Sequence, residues 1–557
     1  MGKPPDAKLT PQIARDLCTR TGSKAYLTGT ISSLGSAYVL GLNAVNCQTG
    51  DSLAQEQVTA DSKEHVLTAL GEASTKLREK LGESLKSVQK LATPIEQATT
   101  PSLEALQAFS LGRTTMMSQG DYAAAVQHFQ RAIQLDPNLA MAYASLGTTY
   151  NNLGEKELAA ENTRRAYELR GKVSDRERFY IESHYYHFVT GNLEKARQVY
   201  EIWTQTYPRE AVPLTNLGVL YQTLGQYEKA LEDFRATQRI TPNDAVGYSN
   251  LLTVMVNLNR AKEAEAFAAD VAAKKLDSAG IRLALYQLAF LESDDASMAA
   301  QIHWAGEHES AESVLPCYQA DTAAYLGQLN KARELSRQAV AEAQRAGRKE
   351  RAAGCEAQAA LREALFGNGA EARRFAGNAL RNSGGKDPLF LGGLALALVG
   401  DTDKAVQVAE GLKAGFPEDS IVQFNYLPTL YAQIALNDGD KSRALDFLKT
   451  ALPYEVGLPG AGSYSTNMYP VYVRAQALLA LRQGGEAAAE FQKLLNWPGV
   501  VGNEPIGALA QLQLARARAM NGETAEARAA YTTFLSLWKN ADSDFPLVSA
   551  VRAEVPK

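Results

Sequence analysis

The chain has 557 residues, of which 45% are hydrophobic and 21% charged, and its formal net charge is −5. This length exceeds what one ordinary hydrophobic core supports, so we expect several domains or a repeat array. The weakly acidic charge lacks the basic surface of a nucleic-acid-binding protein, and no segment has the ~18–20 apolar residues of a membrane-spanning helix, so we expect neither a nucleic-acid partner nor membrane insertion by this chain.

The first part of the chain predicts a small α/β module. Thr10-Pro11 is typical of a helix start, and the alternating sequences AYLTGTI and AYVLGLNAV follow, around the turn SSLGS. The polar sequence SLAQEQVTA predicts a third strand, and the residues after it repeat with the period of an amphipathic helix. We therefore predict an α-β-β-β-α module over residues 1–92 and a linker, TPIEQATTPSLE, over 93–104.

The four cysteines, Cys18, Cys47, Cys317 and Cys355, form no CxxC motif. A metal cluster or a thioredoxin-type motif therefore has no basis in the sequence. A disulfide between Cys18 and Cys47 is one interpretation, and it requires an oxidising compartment. Buried free thiols are the alternative, since free cysteine is among the most buried residue types.

Glycines recur through the next part of the chain with a nearly constant period. Gly120, Gly154, Gly191 and Gly225 are 34, 37 and 34 residues apart, each between two segments with helical patterning. One unit spans 211–244, and the signature residues that it carries are Leu217, Gly218, Tyr221, Ala230, Phe234 and Pro242. A helical hairpin of about 34 residues with these residue types resembles the tetratricopeptide (TPR) repeat, which implies a solenoid of stacked hairpins.

The pattern loosens towards the C-terminus. We predict a regular repeat array over 105–274, an irregular helix pair over 275–312, a degenerate array over 313–536 with a long loop at 453–470, and a capping helix over 537–557. The predicted fold is mostly α: a right-handed TPR solenoid of about 10–12 hairpins, preceded by the α/β module.

The N-terminal module carries a second resemblance. The sequences CTRTGSKAYLTGTIS and NAVNCQTGDSLAQEQ are similar to the latter part of a TolB-like module, whose usual first strand and helix have no counterpart before Leu9. A TolB-like segment followed directly by TPR repeats resembles the C-terminal region of bacterial transmembrane serine/threonine kinases of the eukaryotic-like type. The resemblance implies a sensor or docking tail that a kinase domain and a membrane helix precede.

No catalytic motif was found in the sequence. The kinase motifs G-x-G-x-x-G, H-R-D and D-F-G are missing, and the GGK of residues 384–386 lacks the remainder of a phosphate loop. His184 and His187 share a helix face, but zinc needs a third ligand. We therefore predict a non-enzyme without catalytic residues, cofactor or metal.

Two sets of residues are candidates for binding a protein or peptide. Solenoids of this kind usually bind extended peptides in their concave groove, where we place Asn151, Asn152, Tyr185 and Gln222. The loop 453–470 breaks the helical period, and long loops in compact repeats are often functional. We hypothesise that this loop folds into the groove, and its candidate residues are Tyr454, Tyr464, Met468 and Tyr469.

The predicted function is protein–protein interaction or ligand sensing, as in the regulatory tail of a membrane kinase to which the chain is tethered. The alternative is a free-standing cytoplasmic scaffold for complex assembly. A kinase tail would be periplasmic, whereas a scaffold would be cytoplasmic, and the sequence does not choose between these compartments.

Overall fold

The computed structural model describes residues 10–20, 23–83, 100–308, 315–458, 466–543 and 545–556. Within these ranges the chain forms 28 α-helices in a TPR-like solenoid and one three-stranded sheet near the N-terminus. It divides into two compact units, Met1–Tyr150 with Glu161–His184, and Asn151–Ala160 with Tyr185–Lys557. The predicted fold class, mostly α with a small α/β module, is confirmed.

The N-terminal module has the predicted element order. Its elements are α1 Pro11–Arg20, β1 Ala25–Leu34, β2 Ala37–Asn46, β3 Ser52–Ala60 and α2 Val66–Lys80. The strands are antiparallel in the order β1-β2-β3, and α2 packs chiefly on β2 and β3. Leu40, Val58 and Ala73 are buried between α2 and the sheet.

Two disulfides are present. Cys18 on α1 is bonded to Cys47 after β2, with the Cα atoms 5.7 Å apart. Cys317 is bonded to Cys355 with a Cα separation of 6.0 Å, a pairing that the sequence analysis did not propose. All four side chains are buried, so each disulfide lies inside its own unit rather than on the surface.

Most of the remaining helices pack in consecutive pairs. The first ten are α3 Leu103–Thr114, α4 Tyr122–Leu135, α5 Ala140–Asn152, α6 Lys156–Leu169, α7 Asp175–His184, α8 Leu193–Thr206, α9 Ala211–Thr223, α10 Tyr227–Ile240, α11 Ala245–Asn257 and α12 Ala261–Ala273. The next eight are α13 Ala279–Glu292, α14 Asp295–Gly306, α15 Leu315–Tyr325, α16 Leu329–Arg345, α17 Lys349–Leu365, α18 Gly369–Asn382, α19 Lys386–Leu398 and α20 Thr402–Gly415. The last eight are α21 Leu427–Asn437, α22 Lys441–Lys449, α23 Tyr469–Ala480, α24 Gly484–Asn496, α25 Pro498–Val501, α26 Pro505–Met520, α27 Thr524–Leu537 and α28 Pro546–Glu554.

Among the described residues ten consecutive helix pairs pack as hairpins, namely α3–α4, the eight pairs from α9–α10 to α23–α24, and α26–α27, while α25 is a short link and α28 packs on the last hairpin. Three single turns of π-helix adjoin α3, α7 and α21 at Thr115–Gln119, Tyr185–Val189 and Val422–Tyr426. The number of hairpins lies within the predicted range.

The turn of most hairpins depends on a glycine in the left-handed region. Gly120, Gly154, Gly191 and Gly225 have φ of 65° to 80°, where a Cβ is unfavourable. Three hairpins reach the same backbone conformation without glycine, at Asn259 (φ 57°), Ser293 (φ 58°) and Arg482 (φ 62°). Because the turns at Ser293 and Arg482 carry no glycine, the glycine periodicity did not reveal them.

Close packing within a hairpin depends on small residues. A Cβ placed on Gly218 of α9 would lie 2.6 Å from the ring of Phe234 on α10. In the α9–α10 hairpin the Phe234 ring thus packs directly on Gly218. An alanine also lies near the start of the second helix, five residues after the turn, and it is fully buried at Ala230, Ala264 and Ala405.

In the second unit, turns of early hairpins contact connections between later hairpins. The Ser420 amide donates to the Gly191 carbonyl (3.0 Å), and the Asp542 amide donates to the Gly327 carbonyl (3.1 Å). Asn259 binds Asn496 through Nδ2 (3.0 Å) and the Gly499 amide through Oδ1 (3.0 Å), 237 and 240 residues further along. We call this row of contacts, which begins at Glu155–Glu157 and ends at Asp542, the seam.

Within the described parts of the chain, no helix has both the length and the apolarity of a membrane span.

Candidate functional site

A pocket of about 340 Å³ opens beside the seam in the second unit. Helix α8, the α9–α10 hairpin and the segment after α22 form its walls. The residues that line it are Glu194, Arg197, Tyr221, Leu224, Gln226, Lys229, Pro453 and Tyr454. The first six come from two consecutive hairpins and the last two from the beginning of the loop that the sequence singled out.

The seam fixes that loop segment against the α9–α10 turn. The Tyr227 hydroxyl donates to the Val456 carbonyl (2.6 Å), and the Leu458 amide donates to the Gln222 carbonyl (3.2 Å). A Cβ on Gly225 would lie 2.7 Å from the Val456 side chain. Only glycine at the turn permits this approach, so the repeat signature also shapes the pocket.

Two of the residues that line the pocket are tyrosines, Tyr221 and Tyr454. The Tyr454 ring stacks on Phe424 with centroids 5.2 Å apart. The Tyr221 hydroxyl donates to Glu201 Oε1 (3.3 Å), and the Lys229 ammonium lies 5.3 Å from the Tyr221 ring centroid. Both rings are therefore held by neighbours before any ligand arrives, which reduces the entropy cost of binding.

Two of the charged groups that line the pocket, Glu194 and Arg197, are paired with each other. Arg197 binds Glu194 (2.7 Å) on one side and Glu201 (2.5 Å) on the other. The hydrogen bonds from Arg197 and Gln198 lower the pKa of Glu194, while burial raises the pKa of both Tyr221 and Tyr454. The tyrosines are thus neutral hydroxyls at neutral pH and the Glu194 carboxyl is ionised, so both polar and apolar groups line the pocket.

The predicted loop residues have different positions. Tyr454 lines the pocket, Tyr464 lies outside the described residues, and Met468 and Tyr469 are buried. The Tyr469 hydroxyl is 2.8 Å from Glu504 Oε2, in the interior of the second unit. Of the three described residues in this set, the structure brings only Tyr454 to the pocket.

The predicted groove residues are dispersed as well. The Gln222 side chain is buried beside the seam, and the structure gives its Nε2 no hydrogen-bond partner. Asn151 accepts from the Lys156 ammonium (3.2 Å), Asn152 is exposed, and Tyr185 makes an edge contact with Tyr186. Binding in a concave groove stays a prediction, and α17, buried at every residue from Glu350 to Ala364, offers no exposed inner face.

The GGK loop already holds a carboxylate from its own chain. Glu157 Oε1 accepts from the Ser383 hydroxyl (2.9 Å) and from the Gly384 amide (2.8 Å). These are the donors that a phosphate loop would present to its ligand. The segment therefore serves as a seam contact, between the α5–α6 turn and the start of α19.

His184 is a core residue. Its side chain is buried, and Nδ1 lies 2.7 Å from the Tyr180 carbonyl. Burial lowers its pKa to about 4, which keeps the ring neutral at physiological pH. Over the described ranges, no cluster of three or more potential metal ligands occurs.

Comparison with known families identifies the repeat. Residues 116–154 match the family model "TPR repeat" and residues 213–244 match "Tetratricopeptide repeat". No curated protein was found to match the chain.

Several solved structures resemble parts of the chain or most of it. A thermophilic TPR protein of Thermus thermophilus is 22% identical, with 32% of this chain and 95% of that chain covered and a TM-score of 0.27. The Pseudomonas aeruginosa protein pilF is 20% identical over 36% of this chain and 88% of its own, with a TM-score of 0.25. Yeast Tom70 is 14% identical over 81% of this chain and 96% of its own, with a TM-score of 0.29.

Proposed function

We propose that this chain is a non-catalytic interaction protein whose pocket at Tyr221 and Tyr454 receives a large apolar side chain from a partner protein. TPR proteins generally mediate protein–protein interactions. The observation that carries the proposal is the pocket itself, where two fixed aromatic rings from distant parts of the chain face one opening.

The size of the pocket indicates how much of a partner it accepts. Ligand pockets typically measure ~300–1,000 Å³, so a volume of about 340 Å³ suits one or two side chains rather than a whole peptide. Leu224, Pro453 and the two tyrosines supply apolar contact area, and the side chains of Glu194 and Lys229 give polar contacts to the partner's backbone.

A second, more specific proposal concerns the biological role of the chain. The order of a small α/β module followed by TPR repeats supports a regulatory tail similar to that of bacterial transmembrane serine/threonine kinases. A free-standing scaffold is the second candidate. The coding sequence upstream of Met1 distinguishes them: a kinase domain and a membrane helix in the same reading frame support the tail, and a stop codon in that frame contradicts it.

A random peptide library displayed on phage tests the pocket. We expect peptides selected on the wild-type chain to share an aromatic or large aliphatic residue. We expect Tyr221→Ala or Tyr454→Ala to weaken their binding at least about tenfold, a loss of ~1.4 kcal/mol, measured by calorimetry with one synthetic selected peptide.

Tyr431→Ala is the matched control. Like Tyr221, Tyr431 has its hydroxyl on a carboxylate, Glu410 (2.9 Å), and like Tyr454 its ring lies on a phenylalanine, Phe447 (5.4 Å). It does not line the pocket, so its loss should leave affinity unchanged. Equal affinity in all three variants would contradict the proposal, and hydrolysis of ATP by the purified chain would contradict its non-catalytic part.

A further inference from the structure

Strand β1 is an edge strand without the features that usually protect an edge. Among the described strands it pairs with β2 alone. Its ten residues, AYLTGTISSL, include no charge and no proline. Natural sheets place charges, prolines or bulges on exposed edges because an unprotected edge pairs with another strand.

The opposite edge of the same sheet is protected. On β3, Glu56 pairs with Lys80 of α2 (2.5 Å), and the Lys80 ammonium also donates to the Gln55 carbonyl (3.0 Å). A charged side chain thus lies along β3 and satisfies one of its backbone acceptors. Of the two edge strands of the described sheet, β1 is therefore the one that carries no charge.

The face of β1 next to this edge is apolar and uncovered. Leu27 and Ile31 are 65% and 56% exposed. They pair with Ala44 and Leu40 of β2, which are buried on the side of the sheet that α2 covers. Helix α2 packs chiefly on β2 and β3, so the apolar surface of the sheet continues past the helix onto β1.

The sequence of β1 is self-complementary about Gly29. In a two-fold antiparallel pairing centred on Gly29, Leu27 of one copy lies opposite Ile31 of the other. Thr28 lies opposite Thr30 in the same arrangement, and Tyr26 lies opposite Ser32. Apolar and hydroxyl cross-strand pairs of this kind stabilise a sheet, and with no charge on the strand, no like charges meet across the axis.

We propose that two copies of this chain associate through antiparallel pairing of their β1 strands, centred on Gly29, to form one continuous six-stranded sheet. A strand of ten residues is about 33 Å long and a sheet about 10 Å thick. The two copies together therefore bury roughly 700 Å², less than the ~1,200–2,000 Å² of a stable interface. The dimer is accordingly weak, in the class of transient rather than stable complexes.

Sedimentation velocity of the full chain over about 1–200 µM tests the proposal. We expect a concentration-dependent dimer that Ile31→Lys abolishes, because the two-fold axis brings the new charges close to the apolar pair on the partner. Leu53→Lys, at a 48% exposed position on β3, is the matched control and should dimerise as the wild type does.

Disulfide cross-linking tests the register. Under mild oxidation, a mixture of Leu27→Cys and Ile31→Cys chains should form a covalent heterodimer, whereas each variant alone should not. A monomer at every concentration, a dimer that survives Ile31→Lys, a dimer that Leu53→Lys abolishes, or cross-linking of either variant alone would each overturn the proposal.

Discussion

Glu350 is a buried carboxyl group at the start of the seam. Its side chain is 7% exposed, and Oε2 accepts the Glu157 amide (2.9 Å). Burial is the main reason that its pKa rises from 4.5 to about 8, the nearby Glu157 and Asp387 add to the rise, and Lys156 opposes it. The folded chain therefore keeps this carboxyl protonated at neutral pH.

The stability of the chain should depend on pH through this group. Because the folded-state pKa is raised, the contribution of Glu350 is fully present below pH 4.5 and is lost as the pH rises to about 8. Glu350→Gln stays neutral, so we expect its free energy of unfolding to rise relative to that of the wild type across this window, by on the order of 5 kcal/mol. Urea unfolding at several pH values measures the difference, and a difference independent of pH would contradict the assignment.

Individual residues were predictable where a local rule governs them. Gly218, Ala230 and Phe234 follow the repeat signature, and the structure gives them the expected packing. Tyr454 was identified from a loop that breaks the period, but the burial of Tyr469 depends on Glu504, 35 residues away. No pattern in the sequence predicts a contact between two residues so far apart.

At the scale of the hairpin, stability depends on the contact between the glycine of the first helix and the phenylalanine of the second. Gly218→Ala would place a Cβ 2.6 Å from the buried Phe234 ring, so we expect it to destabilise the chain by about 1–3 kcal/mol. Thermal unfolding followed by circular dichroism shows whether the substitution lowers the unfolding midpoint.

Gly411→Ala is the matched control for that substitution. Gly411 lies inside α20, and nothing would lie within 4 Å of its Cβ. Alanine there should stabilise the helix by about 0.5–1 kcal/mol, because glycine is a poor helix former. If both substitutions shift the midpoint of thermal unfolding in the same direction, contact with Phe234 is not the reason that position 218 requires glycine.

Most elements followed from the sequence for a physical reason. A glycine turn with an alanine five residues later reflects the geometry of one hairpin, so it recurs wherever that geometry does. The hairpin at Ser293 lacks the glycine, and the periodicity therefore weakens around 275–312, where α13 and α14 form a pair.

At the scale of the whole molecule, the seam should hold the second unit together. A Cβ on Gly457 would overlap the Thr223 carbonyl oxygen, and a Cβ on Gly499 would overlap that of Val256. We expect Gly457→Ala and Gly499→Ala to speed hydrogen exchange of the Leu458 and Ser420 amides, which donate across the seam. Exchange as slow as in Gly411→Ala would show that the seam does not protect them.

The seam and the pocket could not be predicted from the sequence. Tyr227 meets Val456 across 229 residues, and Asn259 meets Asn496 across 237. Such contacts depend on how far each hairpin rotates relative to the last, a quantity that accumulates over many repeats and is encoded in no single one. The sequence therefore did not indicate that Arg197 and Lys229 face a loop from the other half of the chain.

The most direct test of the interaction proposal is photo-cross-linking at position 454. A benzophenone amino acid replaces Tyr454 in one variant and Tyr431 in another, and each is irradiated with the same phage-selected synthetic peptide. We predict a covalent adduct at position 454, with the peptide's apolar residue as the attachment point, and none at 431. An adduct at 431 alone, or none at either position while the peptide still binds, would contradict the assignment of the pocket.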